Sequence, residues 1–163
     1  MRPIEAKEQL RQWLRTRGIV DTPEGQRERH AVRTVDGEEC LLWLPEQDTT
    51  LFIFVLITEL TMPQDNDILA LAMALNLEPT RTHGGSLGYN PGSRQLMLRS
   101  LHSMNDLDEP GLDRIMTQMG SLGGSLKRYI ESYRRQKTTN RRAQKGPLRS
   151  PALHLSARLF RME

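Results

Sequence analysis

The chain has 163 residues, 37% of them hydrophobic and 26% charged, with a formal net charge of +3; that is enough for one compact domain plus an appendage, and modest enough that a partner subunit could complete its burial. Its single cysteine, Cys40, excludes an internal disulfide and gives no sign of an oxidising compartment. The longest apolar run, Leu51–Ile57, falls far short of the ~20 residues of a membrane span, and Met1–Lys7 lacks the apolar core of a signal peptide, so the expected location is the cytoplasm.

Charge is unevenly divided. Residues 134–163 hold nine Arg and Lys and one acid, a tail of +8, while the remainder carries 14 basic and 19 acidic residues, or −5. The chain therefore reads as an acidic body, residues 1–133, with a basic tail, residues 134–163. From Arg134 onward the apolar pattern ends, and the composition predicts a mobile, solvated segment.

Ile4–Arg17 reads as a helix: Ala6, Leu10, Trp13, Leu14 and Arg17 fall at helical spacing, and Gly18 supplies a stop. Asp21–Gln26, with Pro23 and Gly25, is a polar loop. Two short strands follow, Arg29–Val35 and Glu39–Leu44, joined at Asp36-Gly37, a pair that tolerates the positive φ of a tight hairpin turn. Cys40, inside the apolar stretch Cys40–Leu44, reads as an inert packed thiol. Leu51–Leu60 is a continuous apolar, β-branched run, expected to form a central strand covered on both faces.

Ile68–Leu75 is apolar all round and shows no polar stripe. Such a helix needs burial on every side, either centrally within a monomer or between the home sheet and a second subunit. The chain offers few other elements to wrap it, which favours the second subunit. Gly84, Gly85, Gly88 and the turn Asn90–Ser93 frame another hairpin, whose second strand is Gln95–Leu101. Asp106–Pro110 opens a long helix with a stripe at Leu112, Ile115, Met116, Met119, Gly123, Leu126, Ile130 and Tyr133. Gly120, Gly123 and Gly124 each cost about 1 kcal/mol against Ala in a helix interior; close approach of helix to sheet would compensate. The short apolar segment Ala152–Phe160 has enough apolar residues to dock. The order helix, three strands, helix, two strands, helix predicts an α+β domain with one mainly antiparallel twisted sheet and helices packed on it.

Residues that would carry chemistry are scattered. His30, His83, His102 and His154 form no HxxxH pair, there is no CxxC, and no metal or other cofactor is expected. No GxSxG exists, and neither Gly84–Gly88 nor Gly120–Gly124 places Gly-Lys-Ser/Thr ahead of a helix as a phosphate loop requires. Glu38-Glu39 and Asp108-Glu109 are explained by a hairpin turn and a helix start. An enzyme is not expected. The tail carries many arginines but only Phe160 as an aromatic, so it lacks the interleaving of a single-strand nucleic-acid platform. The alternative function class is a nucleic-acid-binding or regulatory protein acting through phosphate attraction by the basic tail.

The same order of elements resembles the class I (CesT-like) chaperones of type III secretion over roughly residues 4–133. The likeness is carried by Ala70–Leu77, Gly84–Asn90, Gln95–Arg99 and Leu107–Glu109: an apolar helix, a small-Leu-Gly-Tyr strand, a Leu-x-Leu strand and a Leu-Asp start to the last helix. Members of that family are usually acidic throughout and end near the last helix, so the tail has no counterpart from which to take a role. The resemblance implies a cytoplasmic homodimer that binds the non-globular N-terminal segment of one or more secreted effectors and hands them to the export machinery, without ATP. It places the client surface on the first helix and hairpin, with Leu10, Trp13 and Leu14 as one wall and Val32, Leu42 and Leu44 beneath; the alternative is that these six close the core. It places the dimer surface at Ile68, Leu69, Ala72, Met73 and Leu75, with Leu96 and Leu98 nearby. The tail, represented by Arg134, Arg135, Arg141 and Arg142, could dock on the acidic body, an acidic client or the secretion ATPase, and Leu153–Phe160 could fill an apolar groove.

Overall fold

The computed structural model describes residues 1–19 and 29–144. The expected loop Asp21–Gln26 and the apolar segment Ala152–Phe160 lie outside them. Two units are distinguished, Met1–Ile130 and Glu131–Glu163.

Helix α1 spans Pro3–Thr16. Pro3 occupies the first turn, where its missing N–H costs nothing, and the Arg2 backbone N–H donates to the Glu5 carboxylate at 2.8 Å. Ala6, Leu10, Trp13 and Leu14, three or four residues apart, form its buried face. Strands β1 (Arg29–Arg33) and β2 (Glu39–Trp43) form the expected hairpin. Gly37 takes φ +83° at the turn, and the Thr34 N–H donates to the Glu38 carbonyl at 2.8 Å. Strand β3 is Thr50–Glu59, α2 is Asn66–Leu75, and a short helix α3, not foreseen, is Pro79–Thr82. Strands β4 (Ser86–Asn90) and β5 (Gln95–Ser103) make the second hairpin. Helix α4 runs Glu109–Gln144, opened by Asp108, whose carboxylate accepts from the Gly111 N–H at 2.7 Å.

The sheet order is β1-β2-β3-β5-β4 and every pair is antiparallel. Cross-strand register fixes what each face carries. Val32, Cys40, Val55, Leu98 and Leu87 lie in one row across all five strands, with Leu42 and Ile53 in the next. All are buried. Helix α4 covers this inner face with Leu112, Met116, Met119, Leu122, Leu126 and Ile130.

Its glycines show how closely α4 approaches. A methyl group at Gly123 would stand 2.6 Å from Val55 Cγ1, and one at Gly120 2.6 Å from Thr34 Oγ1. Lys127 pairs with Glu38 at the hairpin turn, tying the same helix to β1 and β2.

Two expectations are corrected. The apolar run Leu51–Ile57 is not covered on both faces by the described residues: Leu51, Ile53, Val55 and Ile57 are buried, whereas Phe52 and Phe54 are half-buried and Leu56 is exposed. Helices pack on one side of the sheet, and period-two alternation turns every second side chain of β3 away from them. Regular structure also does not end at Arg134, because α4 continues to Gln144. Arg, Lys and Gln are good helix formers, and extending a helix already nucleated adds one hydrogen bond for each residue fixed.

Substituting Ala at Gly123 should therefore destabilise the domain even though Ala is the better helix former. Overpacking against Val55 outweighs the propensity gain, for a net loss of about 1–2 kcal/mol. Urea unfolding of Gly123→Ala beside the exposed control Ser121→Ala measures it.

Candidate functional site

The outer face of the sheet is the surface whose composition asks for a partner. An antiparallel sheet with one wet face usually turns polar side chains to water. Here one outer row reads Arg29, Trp43, Phe52, Leu101, the next Ala31, Leu41, Phe54, Arg99, Ser86, and a third Leu56, Met97, Gly88. Trp43 and Phe52 have ring centroids 5.1 Å apart, and Phe52 and Phe54 stack at 6.3 Å. Leu41, Trp43, Phe52, Phe54 and Met97 are half-buried by one another, and Leu101 is 48% exposed. A groove of about 510 Å³ crosses this face and is lined by residues of all five strands and of no helix. A contiguous apolar patch of this kind marks an interaction surface.

The six residues expected to meet a client lie elsewhere. Leu10, Trp13, Leu14, Val32, Leu42 and Leu44 are all buried in the chain's own core. They sit on the sheet-facing side of α1 and on or beside the inner face of the sheet, so they close the domain. Trp13 is further sealed: the Arg17 guanidinium lies 4.1 Å from its ring centroid and pairs with Asp113 of α4.

The residues expected at a dimer surface divide. Ile68, Ala72, Leu75, Leu96 and Leu98 are buried within the single chain and offer nothing to a second copy. Leu69 is half-buried, and Met73 is 65% exposed. Leu77, just beyond the helix, is also exposed. The uniform apolarity of α2 thus serves two surroundings, its own core on one side and an open side at Met73. The Asn76 side-chain amide, next along, accepts from the Leu87 N–H at 2.7 Å and donates to its carbonyl at 2.9 Å. It acts as a one-residue substitute for a sixth strand, capping part of the free edge of β4.

Of the basic residues singled out, Arg134 and Arg135 lie on the extended part of α4, where Arg135 approaches Glu131 at 3.7 Å. Arg141 and Arg142 lie on its last turn. Among the described residues no group of three or more His, Cys, Asp or Glu could hold a metal ion. No described helix is long and apolar enough to cross a membrane. Cys40 is fully buried, and burial, reinforced by the nearby Glu38 carboxylate, pushes its thiol up to about 11.

Sequence reasoning missed Leu41, Trp43, Phe52, Phe54, Met97 and the two flanking arginines as a surface. The usable signal was alternation. Once Cys40 and Leu42 are assigned inward, Leu41 and Trp43 must point outward, and the hairpin and sheet registers carry that assignment to Phe52 and Phe54.

The sequence profile of the Tir chaperone protein (CesT) family matches residues 9–121. The chain belongs to this family. Solved structures agree in fold. One is a HopA1–SchA chaperone–effector complex, of which a chain is 16% identical to this one at TM-score 0.59, covering 77% of this chaperone and 95% of that chain. Another is the heterodimeric ExoU–SpcU complex from the type III secretion system of Pseudomonas aeruginosa, at 12% identity and TM-score 0.54, covering 71% and 93%. YbjN from E. coli has the fold as well, at 14% identity and TM-score 0.53, covering 77% and 90%. The fold alone therefore does not fix a role, and the family assignment carries that weight. Among curated proteins none matches the chaperone in sequence.

The Cys40 thiol should resist a maleimide at neutral pH in the folded chaperone and react fully in denaturant. The thiolate is the nucleophile, and both its access and its population are suppressed. Rapid stoichiometric labelling under native conditions would contradict the packing described for β2.

Proposed function

We propose that this member of the Tir chaperone family holds the non-globular N-terminal segment of one or more exported effectors against the outer face of its sheet. By family it is a type III secretion chaperone, and effector binding is its function. The observation that carries the assignment is the half-buried Trp43-Phe52-Phe54 cluster, part of an apolar surface built by β2, β3 and β5 and unclaimed by any described helix. An extended segment laid there buries apolar side chains without any need to be folded, and binding energy alone keeps it from collapsing or aggregating. Ordering a flexible client costs entropy, so a broad surface suits the task better than a single deep pocket. Such a chaperone works in the cytoplasm, where effectors await export, and requires no catalysis and no cofactor.

We further propose a homodimer joined through the open side of α2. Met73 on the helix and Leu77 just beyond it are exposed apolar side chains, and Leu69 stands four residues before Met73 on the same helix face. Two copies meeting there would enlarge the platform offered to one client.

Co-expression with an effector encoded beside the chaperone tests the functional assignment. A soluble complex should survive gel filtration, and Phe54→Asp should weaken it by about 30-fold or more, as loss of an aromatic hot spot does. Undiminished binding by Phe54→Asp would remove the outer face from the account. For the dimer, sedimentation of Met73→Glu/Leu77→Glu should give a folded single subunit; an unchanged dimer would place the interface elsewhere.

A further inference from the structure

The groove on the outer face is not uniformly apolar. Its apolar lining is Leu41, Phe54 and Met97, and two arginines line it beside them, Arg29 from β1 and Arg99 from β5. Both arginines are exposed. Neither has a carboxylate partner among the described residues. The Arg29 guanidinium rests 5.6 Å from the Trp43 ring centroid, which orients it while leaving its N–H donors unused. Glu39 lies opposite Arg33 in the β1–β2 pairing, outside the groove's lining. The body as a whole is acidic, with 19 acids against 14 basic residues. Two guanidinium groups with no carboxylate partner among the described residues therefore lie beside one apolar trough of a body whose net charge is acidic.

Resting on the client reading above, we infer that this groove selects a segment of the exported polypeptide in which a bulky apolar residue is flanked by Asp or Glu. The apolar side chain sits over Leu41, Phe54 and Met97, and the flanking carboxylates reach Arg29 and Arg99. Extended backbone suits this arrangement. Successive side chains alternate in direction, and a segment crossing the sheet can keep its carboxylates at the rim while its apolar side chain points down. Guanidinium groups bind carboxylates with two parallel N–H donors, which adds direction to what would otherwise be unselective grease. The arginines also disfavour a basic segment, so the groove discriminates by repulsion as well as by attraction.

Three short labelled peptides are the probes: one alternating leucine with glutamate, and its glutamine and lysine counterparts. Binding to the full chain is read by fluorescence anisotropy. The glutamate peptide should bind about tenfold tighter than the glutamine peptide, the lysine peptide should be weakest, and the preference should shrink at high salt. Arg29→Gln/Arg99→Gln, at two exposed positions where folding is not at stake, should erase the preference. Equal binding of all three peptides overturns the charge selectivity and leaves the client reading intact. A glutamate preference that survives the double substitution overturns the location. Failure of every peptide while the chain still captures its effector rejects the groove as the recognition element. Failure of peptides and effector alike removes this inference together with the reading beneath it.

Discussion

The structure depends on the contact between α4 and the inner face of the sheet, made close by missing side chains at Gly120 and Gly123. The long helix sits down on Val55 and Thr34 and holds the hairpin turn through Lys127 and Glu38. With α1 joined to α4 through Arg17 and Asp113, the inner face of the sheet is filled. Among the described residues, a small sheet covered so fully on one side has no element left for the other, and they leave its outer face open.

The two faces of β3 divide the labour. Leu51, Ile53, Val55 and Ile57 hold the domain together, and Phe52, Phe54 and Leu56 are left outside that core. Both sets are strongly apolar, so the strand has no polar side to mark its orientation. That explains why the sequence reads as a doubly covered strand, although the described residues cover only one of its faces. Cys40 belongs to the first set. Buried, and with its thiol held well above its ordinary range, it has no part in the partner surface.

How much of this the sequence discloses follows from what each signal can distinguish. Element order was legible because turn chemistry is local: Asp36-Gly37 and Asn90–Ser93 punctuate the hairpins, and Pro110 with Asp108 opens α4. The glycines of α4 were legible as a close approach because three of them inside a helix need a reason. The surface was not legible, since apolarity rewards burial in a core and burial by a client with the same residues. Leu10, Trp13 and Leu14 satisfy every criterion for a client wall and are core. Leu96 and Leu98 likewise satisfy those for a dimer contact and lie inside the chain. Only register, which joins Trp43 to Phe52 and Leu41 to Phe54, separates the face that helices cover from the face they leave. The helical reach of α4 past Arg134 was missed for a different reason: charge density argues against a packed core but not against a helix.

The two tryptophans report on opposite sides of the sheet, Trp13 from the sealed core and Trp43 from the open face. Fluorine NMR of the fluorotryptophan-labelled chaperone, recorded with and without the N-terminal segment of its effector, tests the central claim most directly. The account predicts that the Trp43 resonance shifts and loses its sensitivity to solvent while Trp13 stays in place. A client that moves Trp13 and leaves Trp43 untouched would contradict it.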